Sequence, residues 1–153
     1  MIPGKDRPFV FEDLTIGMAW TFHRTMRAED MEATMALTGD QNGYHVDPAF
    51  AKAAGFGKII VPGLLPSSMF TKIGGNLNLL AREMVFRYLM PVYLGDCLEA
   101  RLEVSALNPD RRIAVFDGHI INQDGAVVLT CRLEGHLPQS EWGHPEKPEP
   151  YFP

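Results

Sequence analysis

From Leu98 to Ala106 every second residue is apolar: Leu98, Ala100, Leu102, Val104 and Ala106 alternate with Glu99, Arg101, Glu103 and Ser105. A period of two puts the first set on one face of a strand and the second on the other, so the pattern predicts a strand with one buried and one wet face. Ile113 to Ile121 and Val127 to Leu137 read as two further strands, joined across Asn122-Gln123-Asp124-Gly125, where the Asp-Gly pair favours a tight hairpin. Asn108-Pro109-Asp110 supplies the turn before them. Earlier in the chain, Phe9 to Gly17 reads as a lead-in segment, Met18 to Thr25 as a strand rich in aromatic and Thr residues, and Arg82 to Met90 as another strand before Pro91.

Between these strands the period changes. Ala28, Met31 and Met35 share a helical face, and Glu29, Asp30 and Glu32 crowd the first turn, where the helix dipole favours negative charge. Gly39 follows the last periodic residue and predicts a left-handed exit. Asp47-Pro48 then provides an N-cap and a proline in the first helical position, with Ala49 to Ala54 as a short helix ended by Gly55. After a strand-like run, Lys58 to Val61, Pro62-Gly63 opens an apolar helix from Leu64 to Ile73, which Gly74-Gly75 is expected to end. Leu64, Leu65, Met69, Phe70 and Ile73 cover most of its circumference, and a helix apolar nearly all round is buried. A buried helix followed by an antiparallel meander predicts an α+β fold, with a curved antiparallel sheet wrapped around the central helix.

Composition narrows the class. The 153 residues are 46% hydrophobic and 22% charged, the make-up of one ordinary globular domain. The domain is read over residues 1–137, and the proline-rich stretch 138–153 as an extended tail. A net charge of -5 with scattered Arg and Lys gives no basic stripe for a nucleic-acid partner. No segment stays apolar for the roughly 20 residues a membrane span needs. Cys97 and Cys131 lie in strand-like runs, too few and too poorly spaced for a disulfide framework or a zinc site, which suggests a reducing, cytoplasmic setting.

The candidate chemistry lies in the loop between the first two helices. Within LTGDQNGYHVD an acid (Asp40), an amide (Asn42) and an imidazole (His45) fall within six residues, bracketed by Gly39 and by the Asp47 cap. In an arbitrary sequence such groups are more often turn-forming and solvated than catalytic. Asp47 itself reads as a cap alone. His23, His119 and His136 sit in strand-like runs and read as structural or exposed.

TGDQNGYHVD followed by AFAKAAGFGKIIVPGLL resembles the MaoC-like, (R)-specific enoyl-CoA hydratase family of the hotdog fold, whose pattern reads roughly GDxNPxHxD, then an AxxxxF segment, then IVHGM. The likeness extends through VYLGD, from Val92, into the meander. It implies a homodimer of hotdog subunits, or a dimer of dimers, with the active site at the subunit interface and an acyl-CoA or acyl-carrier thioester as substrate. It implies reversible hydration of a trans-2-enoyl thioester to the (R)-3-hydroxyacyl thioester, with no metal and no redox cofactor.

Residue by residue, Asp40 and His45 match the family's catalytic pair, Asn42 its loop asparagine, and Gly63 the glycine whose N–H is placed to meet the thioester oxygen. Thr71 matches a position that often carries a hydroxyl near the site, with Ser68 a supporting candidate on the same helix; for these two, as for Ser67, back-bonding within the helix is the alternative. Two positions depart from the pattern. Gly43 stands where the family has proline, which loosens the loop in principle. Pro62 stands where it has histidine, so any substrate contact made by that histidine is absent.

Such a set suits the chemistry. Adding water across an enoyl thioester needs a base for the water, a proton for carbon 2 and a donor for the enolate-like oxygen. Two rivals remain: a hotdog subunit that binds acyl thioesters without turning them over, and a hotdog thioesterase. The thioesterase would need an acid on the central helix, and Leu64 to Ile73 has none. Arg87, Arg111 and Arg112 read as solvated, with contact to coenzyme A phosphates as the alternative.

Overall fold

The computed structural model describes residues 9–138. The extended tail expected over 138–153 therefore lies, apart from Pro138, outside the described residues.

Five strands form one antiparallel sheet: β1 (Ala19–Thr25), β2 (Leu80–Tyr88), β3 (Cys97–Asn108), β4 (Ile113–Ile121) and β5 (Val127–His136), in the order β1-β3-β4-β5-β2. Among the described residues four α-helices, α1 (Ala28–Thr38), α2 (Gly43–Val46), α3 (Pro48–Ala53) and α4 (Leu64–Leu77), all lie between β1 and β2, and a short 3-10 turn, Phe11–Asp13, precedes β1. The period-two pattern of β3 holds from Leu98 to Val104 and fails at Ala106, which is exposed rather than buried. Leu98, Ala100, Leu102 and Val104 are buried, while Glu99, Arg101 and Glu103 face outward. A register shift between Val104 and Ala106 bends the strand after that point.

Helix α4 lies across the inner face of the sheet. Its Met69, Phe70, Ile73 and Leu77 are fully or almost fully buried and share one core with Leu102, Phe116, Ile120 and Leu133. Phe70 stacks on Phe86 of β2 with ring centroids 6.1 Å apart. On β4 the position beneath Phe70 is Gly118, where a Cβ would stand 2.6 Å from the phenyl ring and 3.0 Å from the Arg101 carbonyl. The missing side chain lets helix and sheet approach closely. This is the α+β sheet-around-helix arrangement the patterning predicts.

Three local readings need correction. The central helix does not end at Gly74-Gly75. It continues to Leu77, whose side chain is fully buried, and Asn78 makes the left-handed exit at φ 55°. Asn tolerates that conformation better than most residues. Lys58 to Val61 is not a strand; Ile60 N–H donates to the Tyr44 carbonyl at 3.0 Å and Val61 N–H to the Val92 carbonyl at 2.8 Å, and no ladder develops. The loop holding the candidate residues contains a helical turn of its own, α2, which Asn42 caps.

Both punctuation marks around that loop are present. Gly39 leaves α1 at φ 72°, and Asp47 caps α3 by accepting from the N–H groups of Ala49 at 2.8 Å and Phe50 at 3.2 Å. Among the described residues no helix is long and apolar enough to cross a membrane.

Candidate active site

Asp40 is the first residue beyond the α1 exit. Its N–H donates to Thr38 Oγ1 at 3.3 Å, and its Oδ1 accepts from the Asn42 N–H at 3.0 Å. The Asn42 side chain in turn accepts from the Tyr44 N–H at 3.3 Å, starting α2, and this turn carries His45. One carboxylate oxygen thus organises the loop. The other, Oδ2, stands 3.6 Å from His45 Nε2.

The second imidazole nitrogen fixes the ring. His45 Nδ1 lies 2.7 Å from the Ile60 carbonyl oxygen. A carbonyl can only accept, so Nδ1 carries a hydrogen, and in the neutral form of the ring the lone pair is at Nε2, toward Asp40. The His45 side chain is only 11% exposed, against 39% for Asp40. The imidazole is therefore walled in, and the carboxylate is the more solvated partner.

Aromatic packing holds α2 against its neighbours. The Tyr44 ring meets Phe50 edge-on at 4.9 Å and Phe56 edge-on at 5.6 Å. This packing explains the residue at 43. A Cβ on Gly43 would lie 3.0 Å from the Phe50 ring, so a proline here would press on an aromatic that the glycine accommodates. Tightness lost from the backbone is recovered through ring contact and the Asn42 cap.

His45 and Gly63 both line a cavity of about 450 Å³ whose walls also include Phe56, Tyr88, Met90 and Leu129. Of the lining residues only His45 and Tyr88 have titratable side chains, so the space is apolar with one imidazole in its wall. Gly63 immediately precedes the first residue of α4. Among the described residues its N–H donates to no backbone carbonyl. The Pro62 carbonyl accepts from the Leu65 N–H at 2.9 Å. Across a planar trans peptide the Gly63 N–H must point the opposite way, out of the helix start.

The remaining candidates lie elsewhere. Asp40 and Asn42 do not line the cavity; Asp40 meets it only through His45. Pro62 is buried beneath the turn. Ser68 Oγ donates back to the Leu65 carbonyl at 2.6 Å, and Thr71 is exposed; neither lines the cavity. Arg112 is engaged with Glu12, its Nη2 donating to Oε2 at 2.9 Å. Sequence reasoning passed over two contributors, the Ile60 carbonyl and Tyr88. A backbone carbonyl leaves no mark on residue type, and a tyrosine ending a strand is unremarkable until the strand is placed beside α4.

Comparison with known proteins places this geometry among relatives. The family model described as "MaoC like domain" matches residues 12–122. An (R)-specific enoyl-CoA hydratase of Aeromonas caviae is 32% identical over 133 residues, covering 83% of this chain and 98% of that protein. The solved structure of the A. caviae (R)-hydratase superposes with a TM-score of 0.77 at 32% identity, covering 83% of this chain and 99% of the other. A mitochondrial 3-hydroxyacyl-(acyl-carrier-protein) dehydratase of Solanum lycopersicum is 30% identical over 129 residues, covering 82% of this chain and 78% of that protein.

Proposed function

The chain belongs to the MaoC-like domain family and is a hydro-lyase, and from that premise we propose that it adds water reversibly to a trans-2-enoyl-CoA, forming the (R)-3-hydroxyacyl-CoA. The observation that carries the reading is the pair Asp40 Oδ2 and His45 Nε2, 3.6 Å apart beside an apolar cavity and both acceptors when the imidazole is neutral. Two acceptors at that separation suit one water molecule that donates a hydrogen to each. Drawing on both of its O–H bonds raises the density on the water oxygen, which then bonds to carbon 3. The proton removed stays with the dyad and is returned to carbon 2, so the elements of water are added and nothing else is consumed.

As the carbon 3 bond forms, negative charge collects on the thioester oxygen. The unengaged Gly63 N–H, at the positive end of α4, is the donor for that oxygen. An acid–base pair of this kind is worth about 10² to 10⁴ in rate and one oxyanion donor about 10² to 10³. The apolar wall takes the acyl chain. Helix α4 carries no carboxylate along its whole length, which counts against a thioesterase.

The same reading includes a homodimer. β2 is an edge strand with one side unpaired, and Leu64, Tyr88, Leu89 and Met90 beside it are each about half exposed or more. A free edge flanked by apolar side chains suits a second copy of the chain, which would roof the cavity. The free thiols Cys97 and Cys131 fit the cytoplasmic setting. The test is crotonyl-CoA: loss of the enoyl absorbance and recovery of (R)-3-hydroxybutyryl-CoA are expected. An intact enoyl thioester, or free coenzyme A as product, would overturn the proposal.

A further inference from the structure

Tyr88 closes β2 with its ring laid against the α carbon of Gly63. A Cβ built on Gly63 would stand 2.7 Å from Tyr88 Cε1, so only glycine fits beneath the ring. The phenol oxygen reaches Ser67 Oγ at 3.0 Å, and Ser67 Oγ lies 2.8 Å from the Gly63 carbonyl. Proton accounting sets the direction. The carbonyl can only accept, so the single hydroxyl hydrogen of Ser67 goes to it, and Tyr88 must donate to Ser67. The chain Tyr88 O–H to Ser67 O–H to Gly63 C=O therefore runs one way, each bond polarising the next.

The consequence falls on the peptide units around Gly63. Ahead of it, the Pro62 carbonyl is held by the Leu65 N–H. Behind it, the Gly63 carbonyl takes both the Ser67 hydroxyl and the Ser67 N–H, the latter at 3.2 Å. The Tyr88 ring covers the α carbon between them. Glycine is the residue with most backbone freedom to lose, and here that freedom is removed from three sides at the point where the N–H must keep its aim.

We propose that Tyr88 and Ser67 are positioning residues that hold the Gly63 N–H on the thioester oxygen as charge develops there. This rests on the hydratase reading above and adds a specific device to it. The device acts on orientation, so its loss lowers turnover rather than substrate binding.

The test uses the full-length protein with crotonyl-CoA. Tyr88→Phe keeps the ring and removes only the hydroxyl; Ser67→Ala cuts the relay at its middle. Each is expected to lower kcat by about 10-fold with KM within about twofold, the cost of loosening a preorganised donor. The double variant is expected within about twofold of the worse single one, because both remove the same relay. Thermal melts show whether each variant is folded; if Tyr88→Phe is not, Ser67→Ala decides. Wild-type kcat in the folded single variants, a raised KM at unchanged kcat, or losses that multiply in the double variant would each overturn the relay while leaving the hydratase reading intact. A wild type that leaves crotonyl-CoA untouched overturns both.

Discussion

The imidazole of His45 is aimed by the backbone of Ile60. The carbonyl of Ile60 lies 2.7 Å from Nδ1, and the Ile60 N–H is tied to the carbonyl of Tyr44 at 3.0 Å. Two bonds in opposite senses thus lash the segment before α4 to the helical turn that carries the histidine. Because a backbone carbonyl cannot titrate or rotate away, the tautomer of His45 is built into the fold. Nε2 faces Asp40 for structural reasons.

Asp47 stands seven residues beyond Asp40 and serves a different purpose. It accepts from two N–H groups at the start of α3 and does not line the cavity. Asp47→Ala is expected to cost about 0.5 to 2 kcal/mol of stability, as loss of an N-cap does. Hydratase kcat should stay within a factor of about two, since a lost cap acts on folding. Urea melts and steady-state kinetics on the same preparation separate the effects.

Gly63→Ala meets the Tyr88 ring. The backbone angles at Gly63, φ -59° and ψ -28°, suit any residue, so the cost is steric rather than conformational. Overpacking of this kind destabilises by about 1 to 3 kcal/mol. Adding Tyr88→Ala should recover part of the melting temperature. Activity should remain low, because the ring that covered the turn has been removed.

The two thiols should differ in reactivity. Cys131 is buried on β5, and burial pushes its thiol up to about 12, with Asp117 adding to the shift. Cys97 is exposed at the start of β3. A thiolate-selective reagent at neutral pH should label Cys97 alone in the folded protein and both cysteines in urea. Labelling of Cys131 at the rate of Cys97 would show that β5 opens.

Acid should weaken the clasp between the lead-in segment and the β3–β4 turn. The Arg112 guanidinium holds the Glu12 carboxyl below its ordinary value, chiefly through their hydrogen bond. A carboxyl depressed in the folded state stabilises fully above its unfolded value, and that contribution fades as pH falls to the folded one. Glu12→Gln should therefore melt below wild type at pH 7, with the gap closing as pH falls below the ordinary carboxylate range. The pair is exposed, so the gap should be small and reduced by salt.

Much of this architecture is legible in the chain. The alternation from Leu98 to Val104 marks which face of β3 is buried, Ala106 beyond the register shift being exposed, and Asp47-Pro48 marks the start of α3 to the residue. What escapes is long-range or made of backbone. Gly74-Gly75 looks like a helix end, yet burial of Leu77 against the sheet outweighs the weak helical preference of two glycines. The apolar content of Lys58 to Val61 suggests a strand, but no neighbouring strand is there to pair with it, and two isolated hydrogen bonds hold it instead. The Asp40, Asn42 and His45 spacing is readable as a pattern. That Tyr88 would lie on Gly63, 25 residues away in sequence, depends on β2 occupying the sheet edge next to β5, which no local pattern encodes.

The most direct test is the rate at which Asp40→Asn, His45→Gln and wild type remove the double bond of crotonyl-CoA, followed at the enoyl absorbance. Wild type should turn over, and each variant should lose at least about 10²-fold while melting near the wild-type temperature, as removal of an acid–base group requires. Equal rates in all three proteins would show that the carboxylate and imidazole do not act on the water.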